Sequence, residues 1–304
     1  MKKVVVLGSI NMDLVTLCEK APRGGETLLG REFFQIPGGK GANQAVAIGK
    51  LGGEVSMLGK VGKDSMGDEL LKSMKESNVN IENIERSEFF TGVAQITLEK
   101  HGENRIVVVP GANYDVDKEY IDKNINIIKN CDILVAQLEI PLETVKYAFS
   151  KAKEFNKVTI LNPAPAVHLD EEVIKNSDYI IPNETELEVI TGIDTKELEG
   201  VKKAAKSLLN KGVTGLLVTL GSQGAMIIDN NEETLIPAHK VKAVDTTAAG
   251  DSFIGGFVRG ISDNQTIDES IALGVKVAAI AVTRLGAQTS IPTMDEVLEF
   301  RGEN

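Results

Sequence analysis

The sequence predicts an α/β protein: a mainly parallel central sheet covered by helices on both faces, with a small separate β-sheet. Three observations carry this expectation. From about residue 55 onward, short apolar runs alternate with helix-like segments, the pattern of a covered parallel sheet. Glu139, Asn183 and Thr219 each follow an apolar run, which favours one cleft along the C-terminal edge of the sheet. Residues 14–36, 92–98 and 105–110 have the character of short antiparallel strands instead, so they form a sheet of their own.

The elements follow in order. Val4–Leu7 is a short all-apolar run ending at Gly8-Ser9 and reads as a buried parallel strand. In 14–36, Val15, Leu17, Leu28, Phe33, Phe34 and Ile36 are scattered among Pro22, Gly24, Gly25 and Gly30, which suits short strands and not a helix. The apolar face of so small a sheet needs a cover, either bound ligand or a second subunit. Ala42–Leu51, Met66–Ser77, Leu142–Phe155, Asn183–Ile190, Val201–Lys211 and Ile267–Arg284 read as helices, and another starts at Ser252. Val55–Leu58, Ile133–Leu138, Val158–Leu161, Tyr179–Ile181 and Gly215–Leu220 read as strands. Ala225–Asp229 and Glu233–Ile236 form a hairpin pair. No repeat, low-complexity tract or linker interrupts the pattern, and we expect a single domain over 1–304.

Composition narrows the functions. Hydrophobic residues make up 42% and charged residues 25% of the 304, ordinary for a soluble globular protein. The net charge of −11 argues against nucleic acid as a partner, and an anionic substrate must be met by local positive groups. The two cysteines, Cys18 and Cys131, make neither a disulfide framework nor a zinc site. The apolar run after Met1-Lys2-Lys3 is too short for a signal peptide or a membrane span, and no later run reaches that length. We therefore expect a cytoplasmic protein with no membrane partner.

Asp245-Thr246-Thr247-Ala248-Ala249-Gly250-Asp251 holds the sharpest chemical signal. Small residues between two acids feed a helix, and the first N–H groups of a helix bind anions. Ala248, Ala249 and Gly250 let a phosphate approach the backbone. Asp251 beside it suits a general base in phosphoryl transfer. The competing reading is a helix cap or first-turn acid. Pro37-Gly38-Gly39-Lys40-Gly41-Ala42-Asn43-Gln44 is the second signal. Its glycines allow close approach of a ligand, Lys40 suits a phosphate, and Asn43 falls in the first turn of a helix. The spacing is not that of a Walker loop. Asn11 and Asp13, just past the first strand, are candidate sugar-hydroxyl contacts or simply an Asx turn.

These blocks together resemble the ribokinase/PfkB carbohydrate kinase family. The resemblance rests on Gly8-Ser9-Ile10-Asn11-Met12-Asp13, the Gly38–Ala45 block, Asn162-Pro163-Ala164-Pro165, Pro182-Asn183-Glu184-Thr185-Glu186, the Thr219–Gly224 loop, Val244–Asp251, Ala281–Arg284 and Gly286-Ala287-Gln288, and covers nearly the whole chain. It implies a three-layer α/β/α fold with a lid sheet from about 12–37 and 91–110. It also implies ATP-dependent phosphorylation of D-ribose at O5. Asp251 would be the base, and Ala248, Ala249 and Gly250 the anion hole. Asn11, Met12, Asp13, Gly39, Lys40, Gly41, Ala42, Asn43, Glu139 and Asp251 match the sugar site. Asn183, Thr219, Leu220, Gly221, Ser222, Gln223, Gly224 and Val275 match the nucleotide site. Glu186 would order the water around Mg2+. Asp245, Thr247, Ala281, Arg284, Gly286 and Ser290 match a K+ site. Pairing of lids would give a homodimer. Two alternatives stand beside this one. The first is a kinase of the same family for deoxyribose, fructose or adenosine. The second is a non-catalytic sugar sensor, against which Asp251 and the Asn183/Glu186 pair speak.

Overall fold

The computed structural model describes residues 1–101, 103–229 and 232–302. Gly102, inside the 91–110 stretch, and the last two residues of the expected 1–304 domain lie outside them. The strands are β1 (Val4–Leu7), β2 (Asn11–Cys18), β3 (Glu32–Gly38), β4 (Val55–Leu58), β5 (Lys60–Gly62), β6 (Val79–Asn80), β7 (Glu85–Ser87), β8 (Gly92–Glu99), β9 (Asn104–Val109), β10 (Ile133–Ala136), β11 (Val158–Leu161), β12 (Tyr179–Ile180), β13 (Gly215–Thr219), β14 (Ala225–Ile228) and β15 (Glu233–Ile236).

The central sheet runs β15-β14-β13-β12-β11-β10-β1-β4-β6. Its ladders are parallel except at β14 and β15, which close one edge as a hairpin. Side chains alternate across it: Val5 and Leu7 enter one apolar core, Val4 and Val6 the other. Helices cover both faces, so strands such as β1 and β10 are buried along their whole length. The chain first builds outward from β1 to β4 and β6, then returns to lay β10 on the other side of β1. That reversal opens a crevice at the carboxyl ends of β1 and β10, where open α/β sheets bind ligands. Among the described residues, no helix is long and apolar enough to cross a membrane.

Helices Lys40–Lys50 and Ala249–Ser262 share one face of the sheet. They approach closely because Gly255 lies against Ala47; a Cβ on Gly255 would run into the Ala47 methyl. Close packing brings their N-terminal turns together above the crevice. The second of these helices begins at Ala249, three residues before the expected start at Ser252, and the first at Lys40 instead of Ala42. In each case a left-handed residue, Ala248 or Gly39, turns the chain into the helix. The long late helix ends at Ala281, short of Arg284, because the chain folds back there to accept the Val244 and Asp245 N–H groups on Val282 O.

The smaller sheet runs β3-β2-β8-β9. It is not wholly antiparallel as expected, because β2 and β8 pair in parallel, Asn11 beside Gly92. Both strands leave the main body at the same place and run outward together. Phe33, Phe34, Ile106 and Val107 are exposed on it.

Candidate active site

Asp251 lies in the first turn of helix Ala249–Ser262 and is 7% exposed. Asn43 Nδ2 donates to its Oδ2 at 3.0 Å, and Gln44 Nε2 donates to its Oδ1 at 3.0 Å. The second Nε2 hydrogen of Gln44 goes to Asn162 Oδ1 at 3.1 Å, and Gln137 Nε2 donates to Gln44 Oε1 at 2.6 Å. The carboxylate is thus aimed by a braced pair of amides from the neighbouring helix. The cap reading of Asp251 fails, since the N-cap is Ala248, with no side-chain cap. Ala248 has φ 58°, costly for a residue with a Cβ, and such strain collects at functional turns. The anion-hole expectation needs one correction. Ala249 N–H donates to Thr246 O at 3.2 Å, so the N–H groups left without a partner among the described residues are those of Ala248, Gly250 and Asp251.

A second polar group stands at the carboxyl ends of β1 and β10. Ser9 Oγ donates to Glu139 Oε2 at 2.5 Å, and the Lys40 backbone N–H reaches the same oxygen at 3.2 Å. Asn11 Nδ2 lies 3.5 Å from it. Burial, followed by the charges of Glu139 and Asp251, pushes the Asp13 carboxyl up to about 7, against the opposing pull of Lys40. Burial alone would push the Lys40 ammonium down; Asp251, Glu139, Glu186 and Asp13 outweigh it and push it up. The charge of this one cation is thus favoured by four acids. Asn43 Oδ1 is buried without a partner among the described residues.

The glycines here are demanded by close packing. A Cβ on Gly38 would come within 2.5 Å of Asp13 Oδ2, and one on Gly41 within 2.7 Å of Gly8 C and Ser9 N. Gly39 has φ 89°, and its Cβ would come within 2.6 Å of Asn11 N. Gly41 and Ala42 therefore lock the helix onto the end of β1. Met12 has its side chain wholly buried in the apolar core, because alternate residues of β2 point to opposite faces, so only its backbone is open to a role in the site.

Two adjoining cavities meet at the turn. The smaller, about 190 Å³, has Lys40, Asn183, Glu186 and Asp251 on its wall. The larger, about 530 Å³, is lined by Gly221, Ser222, Gly224, Phe253 and Val275 among others. Thr219, Thr246, Ala249 and Gly250 belong to both. Asn183 and Glu186 form a complete capping box, with Glu186 Oε2 accepting from Asn183 N–H at 2.9 Å. Glu186 is thus a capping residue that also faces the cavity, and burial pushes its carboxyl up. Of the nucleotide-site expectations, Leu220 has its side chain packed in the core, and Gln223 is exposed on the tight turn that follows β13.

Residues 244–247 and 281–290 converge as well. Asp245 Oδ1 accepts from Thr247 N–H at 2.8 Å, and its Oδ2 from Gly286 N–H at 2.9 Å. Burial works against the charge, but these bonds outweigh it and hold the Asp245 carboxyl below its usual range. Ser290 Oγ is fully buried and donates to Ala287 O. The Arg284 guanidinium points away to Glu296, so only its carbonyl is available here. Lys50 Nζ already binds the carbonyls of Gln288 and Ile291 at 2.8 and 3.0 Å. An all-oxygen set in a loop that binds an ammonium fits a monovalent cation.

Ser9, Gln44, Asn113, Gln137 and Asn162 belong to this network without having been assigned a role from sequence. Gln137 had a legible signal, a polar residue at the end of an apolar strand. Ser9, Gln44 and Asn162 lay within recognised blocks.

The family model described as pfkB family carbohydrate kinase matches residues 1–294. The chain is 44% identical to a ribokinase of Schizosaccharomyces pombe, across 98% of this chain and 97% of that one. It is 37% identical to a deoxyribokinase of Salmonella typhi, across 99% of both. It superposes on the structure of Arabidopsis thaliana ribokinase complexed with ribose and ATP with a TM-score of 0.94, at 29% identity and 99% of each chain. With the crevice, the braced carboxylate and this likeness over nearly its whole length, the chain belongs to the pfkB family of carbohydrate kinases.

Proposed function

We propose that this protein transfers the γ-phosphoryl group of ATP to the 5-hydroxyl of D-ribose. The observation that carries the reading is Asp251: a buried carboxylate, oriented by two amides, beside unpartnered helix N–H groups where two cavities join. Asp251 accepts the hydroxyl proton. A carboxylate is a weak base toward a sugar hydroxyl, so the proton moves late, as charge leaves the nucleophile. The N–H groups of Ala248, Gly250 and Asp251 receive the transferring group, and the work is mainly positioning and charge stabilisation. Asn11, Asp13, Lys40, Asn43 and Glu139 hold the sugar, and the larger cavity, with Thr219, Gly224 and Val275, holds the nucleotide.

Magnesium bound with ATP neutralises phosphate charge, and Glu186 would hold its water shell. A potassium ion, held by oxygens of Asp245, Thr247, Ala281, Arg284, Gly286 and Ser290, would stiffen the 245–251 turn. The smaller sheet acts as a lid, and the exposed Phe33, Phe34, Ile106 and Val107 pair with a second copy to give a homodimer. An ATP-consuming sugar kinase fits a cytoplasmic location.

The likeness to a deoxyribokinase makes the 2-hydroxyl the point to test. Ribose, 2-deoxyribose, fructose and adenosine are each offered with ATP, and kcat/KM is measured. We expect ribose to lead 2-deoxyribose by at least about tenfold, since a site built of hydrogen-bonding groups is left with unpaired ones by the deoxy sugar. Preference for any of the other three overturns the assignment. Sugar binding without turnover would indicate a sensor.

A further inference from the structure

Asn113 lies outside every motif that marked the site. It follows β9 on the short turn Gly111–Asp115 and is 1% exposed. Its Oδ1 accepts from Ile10 N–H at 2.9 Å. A backbone N–H can only donate, so this bond decides which end of the amide is oxygen. Nδ2 must then face the other way, and it does: it lies 3.3 Å from Ile10 O and 2.6 Å from Asn11 Oδ1. A donor at that point obliges Asn11 to turn its own oxygen toward Asn113. The Nδ2 of Asn11 is thereby directed at Glu139. Orientation passes from a backbone group, through two side-chain amides, to a carboxylate of the crevice.

The surroundings are built for this pair. Gly92 sits beside Asn11 in the β2/β8 ladder. A Cβ there would run into both Asn113 Nδ2 and Asn11 Oδ1. The carboxyl side of β9 and the first residues of β2 and β8 therefore meet at one buried amide pair, where the smaller sheet joins the main body.

We infer that Asn113 is a positioning residue for the sugar site, setting the direction of the Asn11 amide so that it presents a donor, not an acceptor, beside Glu139. The inference rests on the reading that Asn11 contacts the sugar. When Asn113 cannot donate, the Asn11 amide is free to invert and set its carbonyl against the Glu139 carboxylate. A sugar oxygen needing a donor there then finds none. The nucleotide cavity shares no residue with this relay.

The test is a cycle in the full-length enzyme: wild type, Asn113→Asp, Asn11→Ala and the double variant. Asn113→Asp keeps the size and the acceptor for Ile10 N–H but removes the donor. For each protein, sugar KM, ATP KM, kcat and thermal midpoint are measured. In Asn113→Asp we expect sugar KM to rise about tenfold while ATP KM stays within about twofold. In the Asn11→Ala background, Asn113→Asp adds nothing further to sugar KM. An unchanged sugar KM in folded Asn113→Asp, or effects of the two substitutions that multiply, overturns the inference. If Asn11→Ala itself leaves sugar KM unchanged, the sugar-site reading falls and this inference with it. Should Asn113→Asp fail to fold, Gly92→Ala presses on the same pair from β8; it must raise sugar KM selectively, and an unaltered value overturns the role of Asn113.

Discussion

The two ends of the crevice are built from opposite materials. At the sugar end, Asn43 and Gln44 bond to Asp251, Ser9 and Asn11 bond to Glu139, and four acids favour the charge of Lys40. At the nucleotide end, Phe253, Val275, Ala278, Ala279 and Val282 line a roomier, mostly apolar space. A fixed polar network rejects a ligand that leaves one of its groups unpaired, whereas an apolar wall distinguishes ligands only by size. On the proposed assignment of the two ends, the difference places selectivity in the sugar, with the nucleotide held more loosely.

The largest break in that contrast comes at Asp251. Asp251→Asn removes the proton acceptor but keeps the shape, and we expect kcat to fall by roughly 10²–10⁴-fold. Sugar binding, followed by calorimetry, should persist. A variant with near-normal kcat would mean that another group takes the proton.

Asp13 sharpens the comparison through pH, because among the described residues no carboxylate lines the nucleotide end. Its carboxyl is raised from an ordinary 3.8 to about 7 by burial and by Glu139 and Asp251. A raised folded value means that the folded protein holds the proton longer than the unfolded chain. Its contribution is then fully present below about 4, declines as pH climbs, and is lost once pH passes about 7. Each unit corresponds to about 1.4 kcal/mol, so the whole decline is at most about 4 kcal/mol. Without sugar, Asp13→Asn should therefore gain stability over the wild type between pH 5 and pH 8. Urea midpoints at the two pH values measure it, and a difference that does not change with pH would remove the argument.

Much of the sugar end was legible in the sequence, and the reason is local. Lys40, Asn43 and Gln44 stand in one helical turn, and Asn11 and Asp13 in one strand, so spacing along the chain already groups them. The approach of Asn43 to Asp251, 208 residues apart, depends on Gly255 seating Ala47, which no local pattern reveals. The same limit hid Asn113, whose role arises only where β2, β8 and β9 meet. Met12 and Leu220 show the converse, a side-chain direction that their motifs did not disclose. Their neighbours in the motif face the crevice, but alternation along β2 and the turn after β13 send these two side chains into the core. The parallel β2/β8 pairing was also invisible, since a short alternating segment carries no information on the direction of its partner.

The smallest expected effect lies at the nucleotide end and tests the contrast from that side. If the base is held mainly by apolar contact, exchanging ATP for GTP should leave kcat/KM within about tenfold, because among the described residues no buried polar side chain lines this cavity. His239 and Lys240, the basic side chains on that wall, are both exposed and can adjust to either base. Steady-state rates with the two nucleotides at saturating sugar supply the measurement. A preference beyond about a hundredfold would require a directed hydrogen bond to the base, and would make the two ends of the crevice alike in kind.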